Sequence, residues 1–106
     1  MSEPFILVVG LWIAPGREEE FESFESSAFS IIARYRGSLV RRLALRDGLG
    51  SDVPNELHLV TFPSRDAYEA YRADPELTSL AALRARAVLR TVIWEGVDLP
   101  PFGSAP

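Results

Sequence analysis

The spacing of apolar residues changes several times along the chain, and each change predicts a different element. Residues 5–14 form an almost continuous apolar run, typical of a buried strand, which ends at the turn residues Pro15 and Gly16. Residues 17–35 then show steps of three and four, which predict an amphipathic helix. Its apolar stripe consists of Phe21, Phe24, Ala28, Ile31, Ile32 and Tyr35. Carboxylates crowd its first turns, as the helix dipole favours, and Gly37 is the predicted C-cap.

The second half of the chain repeats this order. Residues 38–46 and 56–62 predict two strands, joined by a flexible hairpin connection over residues 47–52. Ser64 is a suitable N-cap for a helix through Tyr71, and Asp74-Pro75-Glu76 begins a second helical piece. The apolar stripe of that piece consists of Leu77, Leu80, Ala81, Arg84 and Val88. Residues 88–97 predict the fourth strand.

The order β-α-β-β-α-β predicts an α+β protein with a ferredoxin-like fold, in which helices cover one face of a four-stranded antiparallel sheet. We expect residues 1–98 to form one domain and residues 99–106, which contain three prolines, to form an extended tail. The helices leave the other face of the sheet to water or to a partner.

Alternation along each strand separates the side chains into two sets. The set rich in leucine, which includes Leu57 and Leu59, is predicted to face the helices. The opposite set is mixed in polarity and consists of Arg42, His58, Val60, Phe62, Arg90, Val92 and Trp94. Because this mixture is too apolar for a solvated surface, we expect an interface there, covered by a second copy of the chain. The sequence therefore predicts a homodimer.

Two stretches carry a resemblance to a known superfamily. They are Tyr35-Arg36-Gly37 and the segment that begins with Phe62-Pro63-Ser64 and continues through Ala67-Tyr68-Glu69-Ala70-Tyr71 and Asp74-Pro75-Glu76-Leu77 to the helix that carries Arg84. In these stretches the chain resembles the dimeric α/β-barrel superfamily, within a short uncharacterised branch related to antibiotic-biosynthesis monooxygenase-like and EthD-like proteins. The resemblance implies paired sheets and pockets for small molecules, and it fixes no reaction. The branch usually has Glu where this chain has Thr61, so a role that pairs such a Glu with the helix arginine is not implied here.

Composition excludes several classes of function. The 106 residues contain no cysteine, which removes disulfides, thiol catalysis and Cys-ligated metals. A net charge of −4 argues against nucleic-acid binding, and one histidine without cysteine does not assemble an ordinary zinc site. We expect neither a metal nor a cofactor. The apolar run near the N-terminus is too short to span a membrane and has no basic residues before it, so a soluble, cytoplasmic protein is expected.

His58 and Arg42 are the predicted catalytic residues. His58 is the only histidine, and imidazole is the side chain best suited to act as a general base near neutral pH. Arg42 lies on the same predicted face, where a guanidinium would stabilise an enolate or bind a carboxylate. The alternatives are a histidine hydrogen-bonded at an interface and an arginine in an intersubunit salt bridge with Glu56 or Glu95.

Four further residues are predicted to bind a ligand. Arg90 shares the mixed face, and Arg84 falls on an apolar helical stripe, where a guanidinium needs a partner or a pocket. Trp12 and Trp94 end two strands that lie side by side in this fold, and their rings suit an aromatic ligand. Core packing is the alternative for both tryptophans.

Two functions remain open from the sequence. The first is a small-molecule-binding protein of uncharacterised activity. The second is a cofactor-independent cyclase, isomerase or monooxygenase, acting on a polyketide-like or phenolic substrate with His58 as the base. The sequence also leaves open where the ligand binds, either between paired sheets or beneath the helices.

Overall fold

The computed structural model of the chain describes residues 3–46 and 52–103. Its strands are β1 (Phe5–Ile13), β2 (Ser38–Ala44), β3 (Glu56–Phe62) and β4 (Val88–Gly96). Its helices are α1 (Glu18–Arg34), α2 (Arg65–Arg72), α3 (Pro75–Ser79) and α4 (Ala81–Ala87). Most of the predicted hairpin connection, residues 47–51, lies outside the described residues, as do residues 104–106 of the predicted tail.

The strands form one antiparallel sheet in the order β2-β3-β1-β4. The helices lie on one face of this sheet, which we call the helix face, and we call the opposite side the open face. This arrangement is the predicted ferredoxin-like fold, which is thereby confirmed. None of the helices within the described ranges is long and apolar enough to cross a bilayer.

Helix α1 forms where the apolar spacing predicts it. Phe21, Phe24, Ala28, Ile31 and Ile32 are all buried, and three glutamates occupy the first turn. The end of the helix differs from the prediction, because Arg36 adopts the left-handed conformation (φ 64°) in place of Gly37. Gly37 donates its N–H to the carbonyl of Ile32 at 3.0 Å, as in a Schellman motif. Its lack of a side chain matters for another reason, since a Cβ atom would lie 2.8 Å from Cε1 of Phe62.

The connection between β3 and β4 consists of three short helices. The Ser64 hydroxyl accepts a hydrogen bond from the N–H of Ala67 at 3.1 Å and caps α2. Asp74 accepts from the N–H of Glu76 at 2.8 Å, and Pro75 occupies the first position of α3. Both caps were predicted, but the predicted single piece after Asp74 is divided at Leu80 into α3 and α4.

The predicted orientation of β3 is wrong. Val9 of β1 pairs with His58, and Leu7 pairs with Val60, so these side chains share one face. That face is the helix face, where His58, Val60 and Phe62 are almost completely buried, while Leu57 and Leu59 lie on the open face. The cause is the register with β1, whose side chains are apolar on both faces and therefore accept either orientation of β3.

The orientation of β2 is also partly wrong, whereas that of β4 is correct. An irregularity between Leu39 and Arg41 shifts the alternation of β2, so both Leu39 and Arg42 lie on the helix face. In β4, Thr91 and Ile93 face the helices, and the predicted open-face set, which includes Arg90 and Trp94, lies on the other side.

Candidate functional site

A cavity of about 590 Å³ lies between the helices and the sheet, and we call it the main cavity. Its walls are mostly apolar, and five aromatic rings from α1, β3 and α2 contribute to them. The rings belong to Phe24, Phe29, Phe62, Tyr68 and Tyr71. Polar groups reach the cavity from Glu25, His58, Arg72, Arg84 and Thr91. A cavity of this size with few polar groups is typical of a small-molecule site.

His58 occupies the floor of the main cavity and is only 2% exposed. Its Nε2 lies 2.9 Å from Oε1 of Glu56, and its Nδ1 lies 3.9 Å from Oε2 of Glu25. The ring of Phe29 packs over the imidazole, with 6.0 Å between ring centroids. His58 is therefore held in one orientation, with Nδ1 directed toward Glu25.

Glu56 is held in turn by Arg42. The Arg42 Nε and Nη2 atoms each donate to Glu56 at 2.7 Å, and the guanidinium also contacts Glu22. Burial alone would raise the pKa of Glu56, but the hydrogen bonds from Arg42 and His58 outweigh it and lower that pKa below its usual value. The two carboxylates raise the pKa of Arg42 still further above its ordinary range. Arg42 therefore pairs with Glu56 within one chain, whereas the alternative raised from the sequence was a salt bridge between two subunits.

Arg42 lines a second, smaller cavity of about 380 Å³, the side cavity, which adjoins the main cavity. Glu25, Phe29 and His58 line both cavities. Since Arg42 is bound on both sides by carboxylates, it positions Glu56 and does not reach the main cavity.

Glu25 is a candidate site residue that the sequence analysis missed. Its carboxyl group lies in the main cavity with 15% of the side chain exposed, and burial raises its pKa to about 7, with the nearby charge of Glu56 as the second cause. The sequence feature that could have identified Glu25 is its spacing. Glu25 falls four residues after Phe21 and three before Ala28, so it lies within the apolar stripe of α1. The helix dipole explains the preceding glutamates, which lie in the first turn, but it does not explain a carboxylate on the buried side.

Arg84 and Tyr71 complete the polar side of the main cavity. The Arg84 Nη2 atom donates to the Thr91 hydroxyl at 2.6 Å, and no carboxylate of the described residues lies within ion-pair distance of this guanidinium. Burial, and then the charge of Glu25, raises the pKa of Tyr71 to about 12, so the phenol stays protonated at neutral pH. The cavity thus presents a cation, a phenol, an imidazole and a carboxyl group of nearly neutral pKa.

The other three predicted site residues lie on the open face, away from the main cavity. The guanidinium carbon of Arg90 lies 4.3 Å from the Trp12 ring centroid, a cation–π contact. Asp52 accepts from Trp12 Nε1 at 3.1 Å and from Arg90 at 2.7 Å. Trp94 is 49% exposed and packs beside Gly10. The six predicted residues therefore form two groups, with His58, Arg42 and Arg84 under the helices.

The groups that line the main cavity are of the kinds that transfer protons and stabilise anions. The carboxyl group of Glu25 has its pKa raised to about 7, His58 supplies an imidazole, and Arg84 supplies a positive charge. Across residues 3–46 and 52–103, no group of three His, Asp or Glu side chains is arranged to hold a metal ion.

Comparison with known proteins places the chain in a family and confirms its fold. Residues 10–97 match the family described as "Domain of unknown function (DUF1330)". No curated protein matches the chain.

Three solved structures illustrate the structural similarity. The methylated RPA0582 protein of Rhodopseudomonas palustris, a protein of unknown function, is 16% identical with a TM-score of 0.83, and the alignment covers 96% of this chain and 85% of that one. SnoaB, a cofactor-independent oxygenase from Streptomyces nogalater, is 17% identical with a TM-score of 0.70 and coverages of 97% and 100%. A dabb family protein with a ferredoxin-like fold from Mesorhizobium loti is 18% identical with a TM-score of 0.65 and coverages of 93% and 100%. At these identities the likeness shows the fold alone, and that fold is the one that the superfamily resemblance implied from the sequence.

Proposed function

We propose, on the premise that the chain belongs to the DUF1330 family of unknown function, that it binds a small aromatic molecule in the main cavity. The observation that supports this function is the cavity itself, about 590 Å³ in volume and walled by aromatic rings around a few polar groups. Ligand pockets generally span ~300–1,000 Å³ and combine apolar walls with a small number of polar groups. Offset and edge-on contacts with Phe29, Phe62 and Tyr68 favour a planar ring over an aliphatic chain.

A bulky side chain in the lining of the main cavity tests this proposal. Ala81 lines the cavity from α4, whereas its neighbour Ala82, which is exposed like Ala81, does not line it. We expect Ala81→Trp to weaken binding of 2-naphthol, measured by isothermal titration calorimetry, by tenfold or more, whereas Ala82→Trp leaves the affinity unchanged. Equal affinities in the two variants, or no binding by the unmodified protein, would contradict the proposal.

The second candidate function is catalysis without a cofactor, as a cyclase, isomerase or monooxygenase of phenolic or polyketide-like substrates. Its support is that His58 and Arg84 line the same cavity, so a base and a cation face one ligand. SnoaB, with the same fold, is described as a cofactor-independent oxygenase. In all three reaction classes a base first removes a proton from carbon or from a hydroxyl group, and a positive charge stabilises the anion.

Proton abstraction can be measured without knowing which reaction follows. 2-Tetralone has an activated methylene group, and its exchange of hydrogen for deuterium in D₂O is followed by NMR. We expect the protein to accelerate this exchange, His58→Ala to abolish the acceleration, and Arg84→Gln to reduce it. Arg86→Gln is the matched control, because Arg86 pairs with Glu20 outside the cavity. Acceleration that survives His58→Ala would exclude His58 as the base.

We also propose that a second copy of the chain covers the open face. Leu57 and Leu59 lie on this face together with the half-exposed Trp94, and Leu43 of the edge strand β2 adds to them. Apolar surface of this kind on a sheet favours packing against another sheet. Sedimentation should give a mass of twice 11.8 kDa, and Trp94→Arg should give a mass of 11.8 kDa with the helix content unchanged. An unmodified protein that sediments as a single chain would contradict the dimer.

A further inference from the structure

We propose that Glu25 and His58 together bind one hydroxyl group of the ligand, so that the ligand of the main cavity is an aromatic molecule with a phenolic or enolic hydroxyl. This inference rests on the proposed function, since it requires an aromatic molecule in the cavity. It assigns to Glu25 a direct contact with the ligand, and it adds a chemical class to the ligand.

The spacing of the two side chains fits a bridging oxygen. Oε2 of Glu25 and Nδ1 of His58 lie 3.9 Å apart, which is too far for a direct hydrogen bond. A single oxygen atom at ~2.8 Å from each would hydrogen-bond to both. Both residues line the main cavity, so a ligand that enters it reaches this position.

The contacts behind His58 determine which nitrogen carries its proton. Nε2 faces Oε1 of Glu56 at 2.9 Å, and Glu56 is held as a carboxylate by two hydrogen bonds from Arg42. A carboxylate only accepts hydrogen bonds, so Nε2 donates to it. In the neutral imidazole Nδ1 is then an acceptor, directed toward Glu25.

Glu25 supplies the complementary donor. Its carboxyl group is buried among apolar walls and is protonated over much of the neutral range, because burial raises its pKa to about 7. A hydroxyl group is both a donor and an acceptor, so it accepts from protonated Glu25 and donates to Nδ1 of His58. An ether or a ketone has no proton to donate to Nδ1 of His58. A carboxylate ligand would also place a lone pair against the lone pair of Nδ1, since both are acceptors. Among these groups only a hydroxyl satisfies both side chains.

Ionisation of Glu25 removes the donor that the ligand hydroxyl group requires from it. Above its pKa, both Glu25 and Nδ1 are acceptors, and one hydroxyl proton serves only one of them. The affinity for a hydroxylated ligand therefore falls as the pH rises through about 7. The other titratable or charged groups that face Glu25 come from α1, β2, β3, α2 and α4, and they are Glu22, Arg42, Glu56, His58, Tyr71 and Arg84.

A pair of ligands that differ only in the hydroxyl proton tests the inference. We expect the protein to bind 2-naphthol roughly tenfold more tightly than 2-methoxynaphthalene at about pH 6. This preference should shrink as the pH is raised to about 8.5, where Glu25 is ionised. Isothermal titration calorimetry at each pH gives both affinities.

Two variants and a control assign the preference to Glu25. Glu25→Leu should abolish it while 2-methoxynaphthalene still binds, and that binding shows that the variant is folded. Glu25→Gln, whose amide donates and accepts without titrating, should keep a preference that no longer changes with pH. Glu19→Gln, which changes an exposed glutamate in the first turn of α1, should behave as the unmodified protein.

The outcomes separate this inference from the function on which it rests. Equal binding of both ligands by the unmodified protein, or a preference that survives Glu25→Leu, would overturn the hydroxyl-binding pair and leave the aromatic cavity intact. If neither ligand binds, the proposed function and this inference are both overturned.

Discussion

The two faces of the sheet carry similar residue types, but these residues differ in how far they are buried. On the helix face, Arg42 and His58 each hydrogen-bond to Glu56, whose side chain is only 13% exposed. On the open face, Arg90, Asp52 and Trp12 form a comparable cluster that stays largely in solvent. The same chemistry therefore has different consequences on each side, because burial strengthens electrostatic interactions and makes every unpaired group costly.

This difference separates the residues that favour a ligand site from those that favour an interface. Within residues 3–46 and 52–103, only the helix face combines the main cavity with a carboxyl group whose pKa is raised to about 7. The open face offers flat apolar surface and an exposed ion pair, which contribute to association more than to chemistry. Four comparisons test this distinction: three match a residue on each face, and one compares Glu25 with its amide variant across a range of pH.

The largest difference is expected between two aromatic residues. Phe62 is buried against α1 and α2, and Phe62→Ala should lower the free energy of unfolding by ~3–5 kcal/mol through lost burial and a new cavity. Trp94 is half-exposed on the open face, and Trp94→Ala should cost ~1–2 kcal/mol in the single chain. Urea unfolding at low protein concentration measures both. Equal losses would mean that the open face is packed as tightly as the helix face within one chain.

The second comparison concerns the buried carboxyl group. The raised pKa of Glu25 means that the folded state favours its protonated form, so the stability it contributes is complete below the unfolded value of 4.5 and is lost as the pH rises to about 7. Glu25→Gln should therefore raise the free energy of unfolding by ~2–3 kcal/mol above neutral pH, with little gain near pH 4. Urea unfolding across this pH range gives the difference curve. A gain that is independent of pH would show that Glu25 does not titrate in this window.

The third comparison uses two glycines. A Cβ atom on Gly37 would lie 2.5 Å from Cγ2 of Ile32 and 2.8 Å from Cε1 of Phe62, so Gly37→Ala should cost ~1–3 kcal/mol by overpacking the helix face. On Gly10, the nearest atoms are the side chains of Pro54 and Trp94 at 3.4 Å. Gly10→Ala should change the stability by less than ~1 kcal/mol, since these neighbours need to shift only slightly. A larger loss at Gly10 would indicate that the open face is the more rigid of the two.

The order of elements and the helix signals were predictable because each depends on local sequence. The stripe of α1 and the caps at Ser64 and Asp74 follow from spacing and from hydrogen bonds within a few residues. The orientation of β3 was not predictable in the same way. It depends on pairing with β1, which is distant in sequence and apolar on both sides, so the alternation of β3 alone could not identify the helix face.

The candidate site was predictable only in part for the same reason. His58 and Arg84 were identified by residue type, but their meeting in one cavity depends on the sheet register and on the packing of α4. Arg90 and Trp94 were grouped with His58 because the face of β3 was assigned wrongly, whereas Trp12 was chosen because its strand lies beside that of Trp94. Glu25 was visible in the apolar stripe of α1, yet its raised pKa follows from burial and from the nearby charge of Glu56 on β3, which no helical pattern contains.

The smallest effects are expected at two carboxylates that each accept hydrogen bonds from an arginine. Glu56 has 13% of its side chain exposed, and its lowered pKa stabilises the folded state above the unfolded value of 4.5, an effect lost as the pH falls through the folded value. Glu56→Gln should cost ~1 kcal/mol near neutral pH, and its stability should converge with that of the unmodified protein in acid.

Asp52 is the open-face counterpart, with 63% of its side chain exposed in the pair with Arg90. Asp52→Asn should change the free energy of unfolding by no more than ~0.5 kcal/mol, because solvent and salt screen an exposed pair. Added salt should reduce even this difference, while the loss in Glu56→Gln should depend much less on salt. If Asp52→Asn cost as much as Glu56→Gln and resisted salt, the open face would already be covered under the conditions of measurement. A parallel sedimentation run would then show whether the second copy of the chain is what covers it.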